Sequence, residues 1–144
     1  MICISIADVT AAEAAEIVNA NELCEVRIDR LKLGSDDIKS LFSAKGKTIA
    51  TYRPSEGVSE STRIGTLLLA IRSGAAYVDI EVETGDLFKD EIIKAARKYG
   101  CKVITSYHDF VKTPVMRELE QVLNWCLESS PDIAKISCRV NSIE

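Results

Sequence analysis

The chain has 144 residues, of which 47% are hydrophobic and 28% charged, as expected for one globular domain with a real core. Its 18 basic and 22 acidic side chains give a net charge of -4 and form no Lys/Arg-rich run, which argues against a nucleic-acid partner. Five cysteines, an odd number without a C-x-x-C pair, argue against a disulfide framework and a zinc ribbon.

The first ten residues, MICISIADVT, lack the basic region of a signal peptide. No apolar run reaches the roughly 18 residues of a membrane span. Reduced thiols in a core are the expected state of the cysteines. We therefore expect a cytoplasmic protein without a membrane partner.

Short runs typical of β-strands alternate with amphipathic stretches along the chain. The spacing fits one β-α unit per step, which predicts a parallel sheet. The predicted strands are Ile2–Ile6, Cys24–Ile28, Thr48–Tyr52, Tyr77–Val82, Lys102–Ser106 and Ile133–Ser137.

Five helices are predicted between the strands. Thr10 and Glu13 have the spacing of a capping box, Ser35 precedes two aspartates as an N-cap would, and Thr113 precedes Pro114 at a first helical position. The helices are expected near residues 10–19, 35–44, 59–73, 86–99 and 113–128. Gly46, Gly74 and Gly100 each follow a helix, where a left-handed C-cap residue is expected.

Polar residues recur within these strands, although the strands of a parallel sheet should be almost continuously apolar. Side chains alternate between the two faces of a strand, so Glu25, Arg27 and Asp29 share one face. If the sheet curls into a barrel, such faces converge on its axis near the C-terminal strand ends, where barrel enzymes have their active sites. The same alternation places together Thr51 with Arg53, Asp79 with Glu81 and Glu83, Ser106 with His108, and Lys135 with Ser137.

Lys135 and His108 are the strongest catalytic candidates. Lys135 is flanked by apolar residues, and we expect desolvation to favour the neutral amine that forms imines; a lysine reaching to solvent is the alternative. His108 is the only histidine, and a hydrogen-bonded structural role is its alternative. Glu81, on the preceding strand with matching parity, is expected to orient the imidazole or keep it basic.

Five segments of the chain, in order, resemble the signature segments of the type I 3-dehydroquinate dehydratases. They cover nearly the whole chain, and together they are far more specific than any one alone. The segments are EVRID (25–29), TYRPSEG (51–57), VDIE (78–81), SYHDF (106–110) with the KTP that follows, and DIAKIS (132–137).

The resemblance implies a lyase of the shikimate pathway of aromatic amino acid biosynthesis. Lys135 would form an imine with the C3 ketone of 3-dehydroquinate, and His108 would take the C2 proton and protonate the departing C1 hydroxyl. The products would be 3-dehydroshikimate and water. The mechanism needs no metal or organic cofactor.

The resemblance also assigns the remaining site residues. Glu81 corresponds to the acidic partner of the histidine, whereas Glu25, Arg27 and Arg53 correspond to residues that bind the substrate and organise the charged pocket. A homodimer is expected, because exposed strand edges invite association.

The implied fold is a (β/α)8 TIM barrel, which typically needs about 250 residues. Residues 1–144 carry about six β/α units, so we expect a single partial barrel domain, a truncated product with little activity of its own. The family's carboxylate-gripping arginine and its closing loop would belong to the missing units.

Two alternatives stay open. A class I aldolase or transaldolase-like lyase also uses a strand-borne lysine, and the histidine in SYHDF on the strand before it favours the dehydratase. An inactive barrel fragment that binds only a ligand or a partner is the non-catalytic alternative.

Overall fold

The computed structural model describes residues 2–140 and contains a six-stranded parallel sheet in the order of the chain. A helix lies between each pair of successive strands, as the β-α spacing predicts. The strands are β1 (Ile4–Ile6), β2 (Leu23–Arg27), β3 (Lys47–Thr51), β4 (Tyr77–Glu81), β5 (Lys102–Asp109) and β6 (Ile133–Cys138). The helices are α1 (Ala11–Ala20), α2 (Ser35–Phe42), α3 (Glu60–Ser73), α4 (Asp86–Tyr99) and α5 (Met116–Glu128).

The longest ladder joins β5 and β6, from the pair Ile104 and Ile133 to the pair Asp109 and Cys138. This pairing extends β5 three residues past its predicted end at Ser106, so His108 lies within the strand. By contrast, β2 ends at Arg27, and a 3-10 turn over Ile28–Arg30 takes the place of the predicted strand end.

The hydrophobic core lies between the sheet and the helices. Apolar side chains on the outer face of the sheet alternate with the polar ones and are covered by α1 to α4. This core includes Val26, Ala50, Val78 and Ile80 from the strands and Val18, Leu41, Leu67, Ile71 and Ile92 from the helices, each no more than 2% exposed.

The capping box of α1 is confirmed: the Thr10 side chain accepts from the Glu13 amide, and the Glu13 carboxylate accepts from the Thr10 amide at 2.8 Å. The N-cap prediction for α2 is wrong by one residue. Gly34 is the N-cap, because the Asp37 carboxylate accepts a hydrogen bond from the Gly34 amide at 2.8 Å and Ser35 begins the helix.

The start of α5 also differs from the prediction. Pro114 precedes the helix instead of occupying its first turn, and α5 begins at Met116. The cause is local, because the Glu118 carboxylate accepts from the Val115 amide and makes Val115 the N-cap.

Gly74 and Gly100 are confirmed as left-handed C-caps, with φ of 112° and 71°. Gly46 does not have a positive φ, so the left-handed conformation is not what requires glycine at this position. A Cβ on Gly46 would lie 2.7 Å from the carbonyl oxygen of Val18 and 2.9 Å from that of Asn21. The predicted C-cap is therefore wrong at Gly46, where close contact with α1 excludes a side chain.

The sheet is open within residues 2–140, because β1 and β6 each pair on one side only. In the same residues, no helix has the length and apolar character to cross a membrane.

Candidate active site

The polar inner faces of the strands converge because the sheet is strongly curled. The Lys135 amine on β6 lies 3.5 Å from a carboxylate oxygen of Glu25 on β2. These strands are four positions apart in the sheet, so in a flat sheet they would be about 19 Å apart at the usual strand spacing. Curling therefore brings the predicted candidates into one cluster.

Glu25 occupies the floor of this cluster and contacts three other strands. Its carboxylate accepts hydrogen bonds from Ser5 at 3.1 Å on β1 and Thr51 at 3.0 Å on β3, in addition to its ion pair with Lys135. Its predicted role in substrate binding stays a prediction.

Asp79 on β4 is the centre of the cluster, and its side chain is fully buried. It accepts two hydrogen bonds from Arg53, each at 3.0 Å, one from Ser106 at 2.5 Å and one from Lys135 at 3.1 Å. Burial alone would raise the pKa of Asp79, but the nearby charges of Arg53 and Lys135 and the bond from Ser106 hold this pKa below its ordinary value.

Arg53 joins the acidic cluster to the histidine. Besides Asp79, its guanidinium donates to Glu81 at 2.6 Å and to Ser106 at 2.9 Å, and its Nη2 lies 3.4 Å from Nε2 of His108. Its side chain is only 16% exposed. A bidentate pair with Asp79 thus fixes the plane of the guanidinium.

His108 on β5 shares a face with the cluster. Its ring stacks on Phe110 with 5.8 Å between centroids and 16° between planes. Its Nδ1 is buried without a hydrogen-bond partner in the part of the chain that the structure describes. Burial lowers the pKa of His108 below its ordinary value, and the positive charge of Arg53 lowers it further. The imidazole is therefore biased toward the neutral form that can accept a proton.

Glu81 lies at the end of β4, as predicted, but its observed partners are arginines. One carboxylate oxygen accepts from Arg53 and the other from Arg63 at 3.0 Å. In the described residues, no hydrogen bond joins Glu81 to His108, so the predicted orienting role would have to act through Arg53. That role stays a prediction.

The expected desolvation of Lys135 is found only in part. Its side chain is 38% exposed and pairs with Asp79 and Glu25. The reason is its position on β6, an edge strand of the described sheet with no neighbour on its far side.

Arg27 is separate from the central cluster. Its guanidinium makes a bidentate pair with Asp29, at 3.1 and 2.7 Å, and its side chain is 28% exposed. Asp29 also accepts a hydrogen bond from the Arg53 amide at 3.3 Å. Arg27 thus lies at the rim of the pocket rather than at its floor.

A cleft of about 650 Å³ opens at this end of the sheet and is lined by Arg27, Arg53, Glu81, His108 and Phe110, among others. Its volume lies in the usual range of small-molecule sites. Within residues 2–140, no three His, Cys, Asp or Glu side chains are arranged to hold a metal ion. The expected absence of a cofactor stays a prediction.

Asp79, Ser106 and Arg63 contact the predicted site residues but were not themselves among them. Asp79 and Ser106 carried a signal, because each shares the strand parity of a predicted residue. Arg63 carried none: an arginine near the start of an amphipathic helix is normally solvent-exposed, and only the packing of α3 on the sheet shows that it is buried.

Residues 2–144 match the model of the family described as type I 3-dehydroquinase. The 3-dehydroquinate dehydratase of Methanosarcina barkeri is 34% identical over 129 residues, which cover 81% of this chain and 53% of the relative. The enzyme of that name from Methanococcus vannielii is 36% identical over 154 residues, which cover 99% of this chain and 68% of the relative. The chain thus spans about half to two thirds of the length of these relatives.

Solved structures show the same fold. The 3-dehydroquinate dehydratase of Enterococcus faecalis superposes with a TM-score of 0.84 at 24% identity, covering 97% of this chain and 66% of that one. A type I 3-dehydroquinate dehydratase of Clostridium difficile gives a TM-score of 0.84 at 22% identity. The six strands thus form an incomplete barrel of the TIM type, as expected. By its match over residues 2–144, the chain belongs to the type I 3-dehydroquinase family.

Proposed function

We propose that this chain carries the imine-forming site of a 3-dehydroquinate dehydratase, with Lys135 as nucleophile and His108 as proton-transfer group. The observation that supports this most is that both side chains lie on one face of neighbouring parallel strands, beside the same acidic cluster. In the register of β5 and β6, Lys135 pairs with Ser106, and Ser137 pairs with His108.

In the proposed reaction, the Lys135 amine attacks the C3 ketone of 3-dehydroquinate and water leaves to form the imine. The imine withdraws electrons from C2, so His108 can remove a C2 proton. The C1 hydroxyl then departs with a proton from the imidazolium. Hydrolysis of the imine releases 3-dehydroshikimate, for a net loss of one water, and regenerates the lysine.

The acidic side chains around Lys135 would orient the groups that react. Asp79 and Glu25 hold the Lys135 amine at 3.1 and 3.5 Å, which orients it toward the inner face. We propose that Glu25, Arg27 and Arg53 meet the substrate hydroxyls, and that Glu81 acts on the imidazole through Arg53.

The class I aldolase alternative is less well supported. It shares the lysine, but the family match and the position of His108 on the strand next to Lys135 favour the dehydratase. The inactive fragment remains a distinct outcome of the test below.

Imine trapping tests the proposal directly. The chain would be incubated with 3-dehydroquinate, the imine would be reduced with borohydride, and the mass of the protein would be measured by mass spectrometry. We expect one adduct per wild-type chain, none in Lys135→Ala, less in His108→Ala, and a wild-type amount in Lys47→Ala, which removes an exposed lysine at the opposite end of a strand. Equal trapping by wild type and Lys135→Ala would refute the assignment, and a folded wild type without an adduct would favour the inactive fragment.

We further propose a cytoplasmic homodimer as the working form. All five cysteines are free, which fits a reducing compartment. Large apolar side chains on α5 and β6 are exposed and would be covered by association; they include Leu123, Trp125, Leu127 and Ile133. Sedimentation of the isolated chain tests this, and a monomer at micromolar concentration would contradict it.

A further inference from the structure

The structure buries one charged side chain beside the pocket that no part of the proposed mechanism uses. Arg63 on α3 is the largest fully buried side chain of the described chain, and 2% of it is exposed. A guanidinium is stable away from water only when its donors are paired. The partners of Arg63 therefore indicate what it does.

Those partners lie on three segments of the chain: just after β3, at and just after the end of β4, and in the first turn of α3. Nη1 donates to the carbonyl oxygen of Tyr52, just after β3, and to Glu81 at the end of β4, each at 3.0 Å. Nη2 donates to the hydroxyl of Thr84 at 3.0 Å, and Nε donates at 2.8 Å to Glu60 in the first turn of α3. Arg63 thus ties its own helix to the ends of two strands.

The bond to Glu81 connects Arg63 to the pocket. One oxygen of Glu81 is held by Arg63 and the other by Arg53, at 2.6 Å. Arg53 in turn lies 3.4 Å from Nε2 of His108. We propose that Arg63 is a positioning residue, which through Glu81 holds the Arg53 guanidinium against His108.

The geometry supports this role in addition to that of a structural tie. With Arg63 in place, both oxygens of Glu81 are occupied and the carboxylate has one orientation. Without it, one buried oxygen would lack a partner, and the remaining charge would attract Arg53 away from the imidazole. The inference rests on the proposed function only in assigning His108 and Arg53 to the site.

The single histidine of the chain allows a test without turnover. The imidazole of His108 would be titrated by NMR in wild type, Arg63→Gln, Arg63→Lys and the control Arg72→Gln, which changes an exposed arginine of the same helix. Substrate is absent, so the outcome is independent of whether the chain dehydrates 3-dehydroquinate.

We expect Arg63→Gln to raise the pKa of His108 by about half a unit or more, because Arg53 is drawn toward Glu81 and its positive charge moves away from the imidazole. The other charged groups that act on His108 are unchanged in this variant; they are Asp79, Lys135 and Glu25. Arg63→Lys keeps the charge but not the planar fork, so we expect a smaller rise. Arg72→Gln should titrate like wild type.

A double-mutant cycle identifies the route. In a Glu81→Gln background, Arg63→Gln should change the titration of His108 much less than in wild type, because the carboxylate that links the two arginines is gone. An equal change in both backgrounds would overturn the proposal. If Arg63→Gln does not fold, Arg63→Lys decides, since an effect of charge alone would leave its titration unchanged.

Discussion

Strands β4 and β6 share the same alternation of polar and apolar residues but differ in burial. On β4, the outer-face residues Val78 and Ile80 are completely buried, whereas on β6 the outer-face residues Ala134 and Ile136 are only partly buried. The reason is their position, because β4 pairs with β3 and β5, and β6 pairs with β5 alone in the described sheet. Alternation thus decides which face a side chain occupies, and neighbouring elements decide whether that face is buried.

The helices show the same difference. On α4, Ile92, Ile93 and Ala96 are buried, whereas on α5 only Cys126 is. The difference extends to the site, since the side chain of Asp79 on β4 is fully buried and that of Lys135 on β6 is 38% exposed. The acidic centre lies on the closed side of the cluster and the proposed nucleophile on its open side.

Truncation of matched isoleucines should break this comparison most strongly. We expect Ile80→Ala to lower the free energy of unfolding by about 3 to 4 kcal/mol, as for other buried large-to-small changes, and Ile136→Ala, at the partly buried outer-face isoleucine of β6, to lower it by about 1 to 2 kcal/mol. Urea denaturation of both variants measures the difference. Equal losses would mean that β6 is covered in solution.

Removing the charge of the buried Asp79 carboxylate should lower the free energy of unfolding nearly as much as Ile80→Ala. We expect Asp79→Asn to lower the free energy of unfolding by about 3 kcal/mol, because it leaves Arg53 and Lys135 without their shared partner. The control Asp36→Asn changes a carboxylate that is 97% exposed on α2 and should leave the denaturation midpoint unchanged. A wild-type midpoint for Asp79→Asn would show that Glu25 and Glu81 suffice to balance the cations.

The stabilising effect of Asp79 should depend on pH. Its pKa in the folded state is below its ordinary value of about 4, so its ionised form stabilises the fold above that value. This stabilisation is lost as the pH falls through the lower pKa of the folded state. We expect the difference in unfolding free energy between wild type and Asp79→Asn to be constant above about pH 5 and to shrink below about pH 4. A difference independent of pH down to about 2 would contradict this.

Alanine substitutions at two glycines, one closely packed and one open, should give the smallest changes in stability. Gly46→Ala should destabilise the fold by about 1 to 3 kcal/mol, because its Cβ would meet the Val18 and Asn21 carbonyl oxygens. A Cβ on Gly65 in α3 would have no heavy atom within 4 Å. Because alanine favours a helix more than glycine does, Gly65→Ala should stabilise the fold by about 0.5 to 1 kcal/mol. Thermal melts of both variants test the pair, and a stabilising Gly46→Ala would show that α1 can move away.

Much of the fold followed from the sequence because its signals are local. Period-two polarity, helix caps such as Thr10 and glycines such as Gly74 depend on a few neighbouring residues, so six strands and five helices were predicted in the correct order. Errors fell at element ends, for instance at Ser35 and Pro114. There the residue that caps the helix was decided by a carboxylate three residues beyond the actual N-cap, which is Gly34 in α2 and Val115 in α5.

The sequence by itself determined which side chains share a face: strand alternation groups Glu25, Asp79, Glu81, His108 and Lys135, and family resemblance names their chemistry. Only the tertiary structure decided which of them touch. Curling brings Lys135 to Glu25 across four strand positions, and the packing of α3 carries Arg63 to Glu81. Contacts of this kind join residues 18 to 110 positions apart, and no local pattern encodes them.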